Sequence, residues 1–110
     1  MKAHTKKRKN DSVNQRILAL HQKMVDKILA HPALLEPVKN TLEMRYNAKL
    51  MRYGSYMLWS SILETIDTPE LFRTLVLAED ARTANLRRET IFTGILTEEE
   101  RRGVLALIKE

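Results

Sequence analysis

The chain has 110 residues, no cysteine, 44% hydrophobic residues and a formal net charge of +5 at pH 7. This length predicts one domain with a single core, and the lack of cysteine excludes disulfides and thiolate metal sites. No apolar run approaches the ~18 residues that cross a bilayer, so we predict a cytoplasmic protein with no membrane partner.

The charges are divided unequally along the chain. Residues 1–52 hold 12 Lys or Arg and 4 Asp or Glu, a net charge of +8, whereas residues 53–110 hold 7 and 10, a net charge of −3. Residues 1–11 lack apolar periodicity, so we predict a basic flexible arm there and a helical domain over 12–110. A Lys-rich arm attracts acidic partners, including the phosphates of DNA or RNA. The predicted nucleic-acid-binding residues of the arm are Lys2, Lys6, Lys7, Arg8 and Lys9.

The first predicted helix spans about residues 13–30. Its apolar residues recur at helical spacing, and Ser12 followed by Gln15 has the form of a capping box at its start. The helix should end at His31, because the residue before a proline avoids the α-helical region of the backbone.

A second and a third helix follow, with a weak break between them. Pro37 fits the first turn of the second helix, where its missing N–H costs no hydrogen bond, and the helical pattern continues to about residue 52. The break is predicted around Gly54, and a third helical stretch covers 56–66. We place Trp59, which lies in the apolar stripe of that stretch, in the core.

The second half of the chain carries two clear helix starts. Pro69 at a first turn predicts a helix over 67–78, and another helix is predicted over 80–89. Thr97 and Glu100 have the form of a second capping box, which should start the last helix.

Residues 90–96 are β-branched around a glycine and predict an ordered loop. We expect this loop to bury Ile91, Phe92 and Leu96 in the core. Together the elements predict an all-α fold, a small single-domain helical bundle of about five helices with a basic N-terminal arm.

No residue pattern indicates an active site. The three histidines, His4, His21 and His31, lack the spacing of a metal site, and we expect them at the surface or at helix ends. The acidic run 98–100 suits the positive end of a helix dipole, and its first Glu should pair with Arg102 one turn later. We therefore predict a binding protein rather than an enzyme, with no catalytic residue, no metal site and no cofactor.

Two basic segments are candidates for partner binding. Basic and aromatic residues alternate over 44–57, a texture that suits nucleic acid or an acidic protein face. Arg82, Arg87 and Arg88 have the geometry to bind phosphate or carboxylate, although nearby acids could leave them as an ordinary solvated face. The predicted partner-binding residues are Arg45, Tyr46, Lys49, Arg52, Tyr53, Tyr56, Arg87 and Arg88.

Residues 80–102 carry the step Leu86-Arg87, the loop Phe92-Thr93-Gly94-Ile95-Leu96 and the helix start Thr97-Glu98-Glu99-Glu100-Arg101. This segment, about a fifth of the chain, resembles the tail of small all-helical bacterial antitoxin-like proteins of toxin–antitoxin pairs. In those proteins a Leu-Arg step precedes a Ser-Pro-Phe-Ala-Gly-Val-Leu-like loop and a Ser/Thr-x-Glu-Glu-Arg helix start. Thr90-Ile91 stands here in place of Ser-Pro. The resemblance implies a protein that neutralises a partner protein, a toxin, through a helical surface.

The residues leave two other functions open. One is a stand-alone DNA- or RNA-binding protein that uses the Lys/Arg-rich arm, in which case deletion of residues 1–10 should abolish binding. The other is a homo-oligomeric structural module whose interface is built from the Met- and Tyr-rich stretch, in which case its mass should depend on concentration.

Overall fold

The computed structural model describes the backbone of residues 3–108 and the side chains of residues 11–108. Within that range the chain forms six α-helices, two short 3-10 helices and no β-strand. The all-α prediction is confirmed, while about five helices is one too few for the described residues. The α-helices are α1 (Ala3–Ala30), α2 (Leu35–Asn47), α3 (Tyr53–Leu63), α4 (Pro69–Val76), α5 (Ala81–Arg88) and α6 (Glu98–Ala106).

Helix α1 begins ten residues before its predicted start. The backbone of Ala3–Ala30 is one continuous helix, so Ser12 lies inside it and does not cap its start. A flexible arm was predicted for these first residues, but Lys, Arg and Ala favour helix, and an already nucleated helix extends readily. The arm's basic side chains, and Lys2 entirely, lie outside the described residues. Nucleic-acid binding by the arm therefore stays a prediction.

The connection from α1 to α2 follows the proline signals. Helix α1 ends before Pro32, as predicted, and Pro32 starts a 3-10 helix, Pro32–Leu34. Pro37 lies in the first turn of α2. A backbone N–H there would have no intrahelical acceptor, so its absence in proline costs no hydrogen bond. The helix end before Pro32 and the first-turn position of Pro37 are therefore both as predicted.

The core is formed by buried side chains of α1, of α2 and of the second half of the chain. Val25 and Ile28 of α1 are fully buried, as is Phe72 of α4. Trp59 is 1% exposed and meets Phe92 edge-on, with ring centroids 5.4 Å apart. This edge-to-face geometry is a favoured one for aromatic pairs. The core position predicted for Trp59 is confirmed.

The loop between α5 and α6 is an integral part of the core, as predicted. Ile91 and Phe92 have no exposed surface. The third anchor is Ile95, at 3% exposure, while Leu96 packs half-buried at the edge. The loop leads directly into the start of α6, where Thr97 and Glu100 exchange both capping-box hydrogen bonds, at 3.0 and 2.8 Å. That capping box is also as predicted.

His21 is buried, which corrects its predicted surface position. It is 1% exposed, and its Nδ1–H donates to the Ile17 carbonyl over 2.8 Å. Its Nε2 therefore accepts, and the Thr90 hydroxyl donates to it over 2.7 Å. The same hydroxyl accepts the Phe92 N–H at 3.1 Å. Burial disfavours the charged ring and lowers the pKa of His21 to about 4, and the positive charge of Arg87 adds to this.

Two cations complete the attachment of this loop. Lys27 Nζ donates to the Ile95 carbonyl over 2.8 Å and to a Glu100 carboxylate oxygen over 2.7 Å. The hydrogen bond from Lys27, together with the capping contact, lowers the pKa of Glu100 to about 2. Arg45 Nη1 donates to the Thr90 carbonyl over 2.7 Å. We call residues 89–97 the clamped loop, because α1 and α2 both hold it.

Candidate docking face and basic groove

Helix α2 ends in a tight left-handed turn that the sequence did not reveal. Lys49 has φ +63°, and its N–H donates to the Tyr46 carbonyl over 3.0 Å. The Leu50 N–H reaches back to the Arg45 carbonyl over 2.9 Å. This pair of hydrogen bonds is a Schellman motif, in which glycine normally occupies the left-handed position. Here a lysine occupies it at an energetic cost of about 1–2 kcal/mol.

The residue after that turn is also unusual. In a Schellman motif it commonly packs against the last turn of its helix, but Leu50 is 72% exposed. Arg52 then precedes α3 with an extended backbone. The break between α2 and α3 thus lies over 48–52, which we call the corner. The predicted break at Gly54 is wrong, because Gly54 belongs to the first turn of α3.

Three tyrosines join α2 to α3 beside the corner. The rings of Tyr46 and Tyr56 stack with centroids 4.2 Å apart, and Tyr53 lies 6.2 Å from Tyr46 at a tilt. The Tyr56 hydroxyl donates to a Glu43 carboxylate oxygen over 2.7 Å, and that hydrogen bond raises the pKa of Tyr56. Tyr46 and Tyr56 are half-buried, whereas Tyr53 is 62% exposed. Of the three predicted binding tyrosines, Tyr53 is the one presented to solvent.

Exposed apolar side chains concentrate around the corner. Among the described residues six large hydrophobic side chains are exposed, and four of them lie within 44–57. Tyr53 and Met57 are four residues apart on α3 and so share a face. Lys49 and Arg52, in the same stretch of the chain, are also exposed. We call this surface the docking face; its residues are Met44, Lys49, Leu50, Arg52, Tyr53 and Met57.

A groove of about 510 Å³ adjoins the docking face. One wall is the chain from the corner into α3, and the other wall is α5. Trp59 and Leu86 are buried and form the floor, while exposed arginines surround the opening. We call it the basic groove; its lining residues are Leu50, Met51, Arg52, Ser55, Leu58, Trp59, Arg82, Asn85, Leu86, Arg88 and Glu89.

The arginines of the basic groove differ in how they are held. Arg88 Nε donates to the Asn14 side-chain oxygen over 3.0 Å, which ties it to α1. Within the described part of the chain, the side chains of Arg52 and Arg82 make no hydrogen bond or ion pair. Glu89 is the one acidic residue of the lining. The groove therefore presents an excess of positive charge over an apolar floor.

Two of the predicted binding arginines have structural positions instead. Arg87 is 3% exposed, and its Nη1 donates to the Val76 and Ala78 carbonyls over 2.8 and 2.7 Å. It therefore satisfies carbonyls at the end of α4 rather than facing a partner, which corrects the prediction of a surface Arg87. Arg45 is half-buried, and its contact with the clamped loop uses its guanidinium.

The structure brings the two predicted basic segments together. Arg52 of the corner and Arg88 of α5 line the same groove, although they are far apart in sequence. Arg82 belongs to the second basic segment but was not among the predicted partner-binding residues, and Asn85 was not predicted at all; both line the groove. Their spacing was a usable signal, since residues 82, 85 and 89 fall on one side of a helix, away from Arg87.

The described residues contain neither a metal-binding cluster nor a membrane-spanning helix. In the described residues, no group of three or more His, Asp or Glu could hold a metal ion. None of the helices in that part is long and apolar enough to span a bilayer.

Comparisons with known proteins add no identification. The chain matches no protein-family model, no curated protein and no solved structure. The resemblance of residues 80–102 to antitoxin-like proteins therefore rests on its motifs alone, and the antitoxin-like function stays a prediction.

Proposed function

We propose that this protein is an antitoxin-like binding protein that neutralises an acidic partner protein by covering it with the docking face. The observation that carries the proposal is the concentration of exposed apolar side chains at the corner, next to unpaired arginines. Tyr, Met and Arg are enriched in protein interfaces, where aromatic and Arg side chains dominate the binding energy. Leu50 at 72% exposure and Tyr53 at 62% supply apolar area that solvent does not favour.

Charge supports an acidic partner. Lys49 and Arg52 lie on the docking face, and Arg52, Arg82 and Arg88 line the groove. The opposing charges are Glu89 of the lining and the exposed Glu43 next to Met44. A surface with an excess of one charge steers an oppositely charged partner and raises its association rate. The buried Arg87 does not contribute to this surface, and Arg45 is engaged with the clamped loop.

The first experiment is capture of partners by the tagged protein from its host, with and without nuclease. We expect one stoichiometric protein that survives nuclease treatment. The purified partner is then titrated with the double variant Lys49→Glu and Arg52→Glu, which should weaken binding by tenfold or more. The matched control is Lys23→Glu with Lys39→Glu, which makes the same charge change at exposed positions outside the docking face and should leave affinity unchanged.

Neutralisation has a separate test. Expression of the captured partner alone should arrest growth of the host, and co-expression with this protein should restore it. A partner that binds tightly but never impairs growth would leave a binding protein and remove the antitoxin-like role. Capture that disappears with nuclease and is lost on deletion of residues 1–10 would instead establish the nucleic-acid-binding alternative.

A further inference from the structure

We propose that the basic groove binds a short acidic peptide segment of the partner, with carboxylates paired to Arg52 and Arg82 and an apolar side chain on the floor. This inference rests on the proposed function and names the chemistry of the segment that the protein recognises. It assigns the groove, rather than the whole docking face, as the site that distinguishes one acidic partner from another.

The size and lining of the groove suit a peptide segment. Its volume of about 510 Å³ lies within the roughly 300–1,000 Å³ typical of sites that enclose small ligands. Leu58 and Leu86 contribute apolar surface, while Ser55 and Asn85 add groups that can hydrogen-bond to a peptide backbone. An apolar floor with a polar opening is the arrangement that holds an apolar anchor between polar contacts.

The two unpaired arginines stand where a cation is unfavourable for the fold. Arg52 is the N-cap residue of α3 and Arg82 lies in the first turn of α5, and the positive end of a helix dipole disfavours cations there. Neither side chain has an intramolecular acceptor among the described residues. A carboxylate from a partner would accept two parallel hydrogen bonds from the planar guanidinium group. The folded chain alone does not supply such an acceptor.

The lining favours a peptide over a nucleic acid. Single-stranded nucleic acids are bound by stacking of bases on exposed aromatic side chains. Trp59 is the one aromatic residue of the lining, and it is 1% exposed and packed on Phe92. It can support an apolar side chain from below, but it offers no face for stacking.

The test is selection of binders from a library of random peptides displayed on beads, read by sequencing. We expect selected peptides to be enriched in Asp and Glu flanking at least one apolar residue. Their affinity for the Arg82→Gln protein should fall by tenfold or more, whereas Lys23→Gln should change it by less than twofold. Because Arg82→Gln removes a cation from the first turn of α5, it should not destabilise the fold, and thermal unfolding checks this.

Intrinsic fluorescence locates the bound peptide. Trp59 is the single tryptophan of the chain, so a peptide seated on the floor should change its emission saturably. The inference is wrong if the selected peptides are not enriched in acidic residues, or if they bind the Arg82→Gln protein as tightly as the unsubstituted one. It is also wrong if an oligothymidylate displaces the peptides at equal concentration. The library requires no natural partner, so this outcome is distinct from a failure to find one. If a captured partner binds the Arg82→Gln protein with unchanged affinity, the assignment of the groove is wrong, while the proposed function stands.

Discussion

The corner and the clamped loop are two connections between helices that are built in opposite ways. In the clamped loop Ile91 and Phe92 are fully buried, and side chains from α1 and α2 hold the backbone. In the corner Leu50 is 72% exposed and the lysine before it has a left-handed backbone. The clamped loop is packed into the core and contributes to the stability of the fold. The corner leaves side chains exposed to solvent that the core does not need.

This difference separates the part of the molecule that holds the fold from the part available for binding. Polar groups in the clamped loop are satisfied within the chain, since the Thr90 hydroxyl both donates and accepts. Across the corner, Arg52 has no such partner in the described residues. Substitutions in the two regions should therefore change different measured quantities.

The largest expected contrast is between Phe92→Ala and Leu50→Ala. Removal of the buried Phe92 ring leaves a cavity against Trp59 and should lower the free energy of unfolding by about 3–5 kcal/mol. Leu50→Ala at the exposed corner should change it by less than about 0.5 kcal/mol. Urea titration followed by circular dichroism measures both. Similar losses for the two variants would show that Leu50 packs in solution.

The second prediction concerns pH and His21. The pKa of the buried ring is lowered from 6.5 to about 4, so the unfolded chain takes up a proton at a higher pH than the folded chain. The free energy of unfolding should therefore fall as pH decreases from about 6.5 to 4, by about 3 kcal/mol in total. Glu100, with its pKa lowered to about 2, contributes stability that is lost only below its ordinary pKa of 4.5.

Denaturation curves at a series of pH values test this assignment. In the range from pH 6.5 to 5, above the carboxyl titrations, His21→Leu should flatten the dependence even if it lowers stability overall. The unsubstituted protein, measured in the same buffers, is the control. An unchanged slope in His21→Leu would assign the pH dependence to other groups.

The smallest expected effect compares the two left-handed residues, one in each connection. Lys49→Gly should raise the free energy of unfolding by about 1 kcal/mol, because glycine adopts φ +63° without strain. Gly94 in the clamped loop has φ +77°, and a Cβ there would meet no atom within 4 Å. Gly94→Ala should therefore lower stability by a similar amount through the backbone alone.

Thermal unfolding of both variants measures these changes. Lys49 also belongs to the docking face, so Lys49→Gly should stabilise the protein while weakening partner binding. A variant that loses stability and affinity together would mean that the lysine side chain supports the corner.

Local signals in the sequence predicted the parts of the fold that depend on neighbouring residues. The Thr97–Glu100 capping box is a contact across three positions, and the burial of Trp59 follows from helical spacing. The start of α1 was wrong because the apparent cap at Ser12 lies in a segment of high helix propensity. The break between α2 and α3 was placed too late because a lysine, rather than a glycine, takes the left-handed position.

Contacts between distant residues were beyond the sequence. His21 is buried where the clamped loop packs on α1, and Thr90, far along the chain, donates to its ring there. Arg87 is internal because carbonyls at the end of α4 accept from it. In the candidate site, the basic character of both segments was predicted from the sequence. That Arg52 and Arg88 line one groove depends on how α3 and α5 pack. Spacing within one helix does not contain that information.

The position of α1 determines when its apolar side chains can be buried during synthesis. This helix is made before α4, α5 and α6, yet it packs against all three, and its Lys27 pairs with Glu100. A chain growing on the ribosome must therefore carry the apolar side of α1 uncovered until residues 69–106 have emerged. Chaperones that recognise exposed apolar helices should bind the nascent chain in that interval.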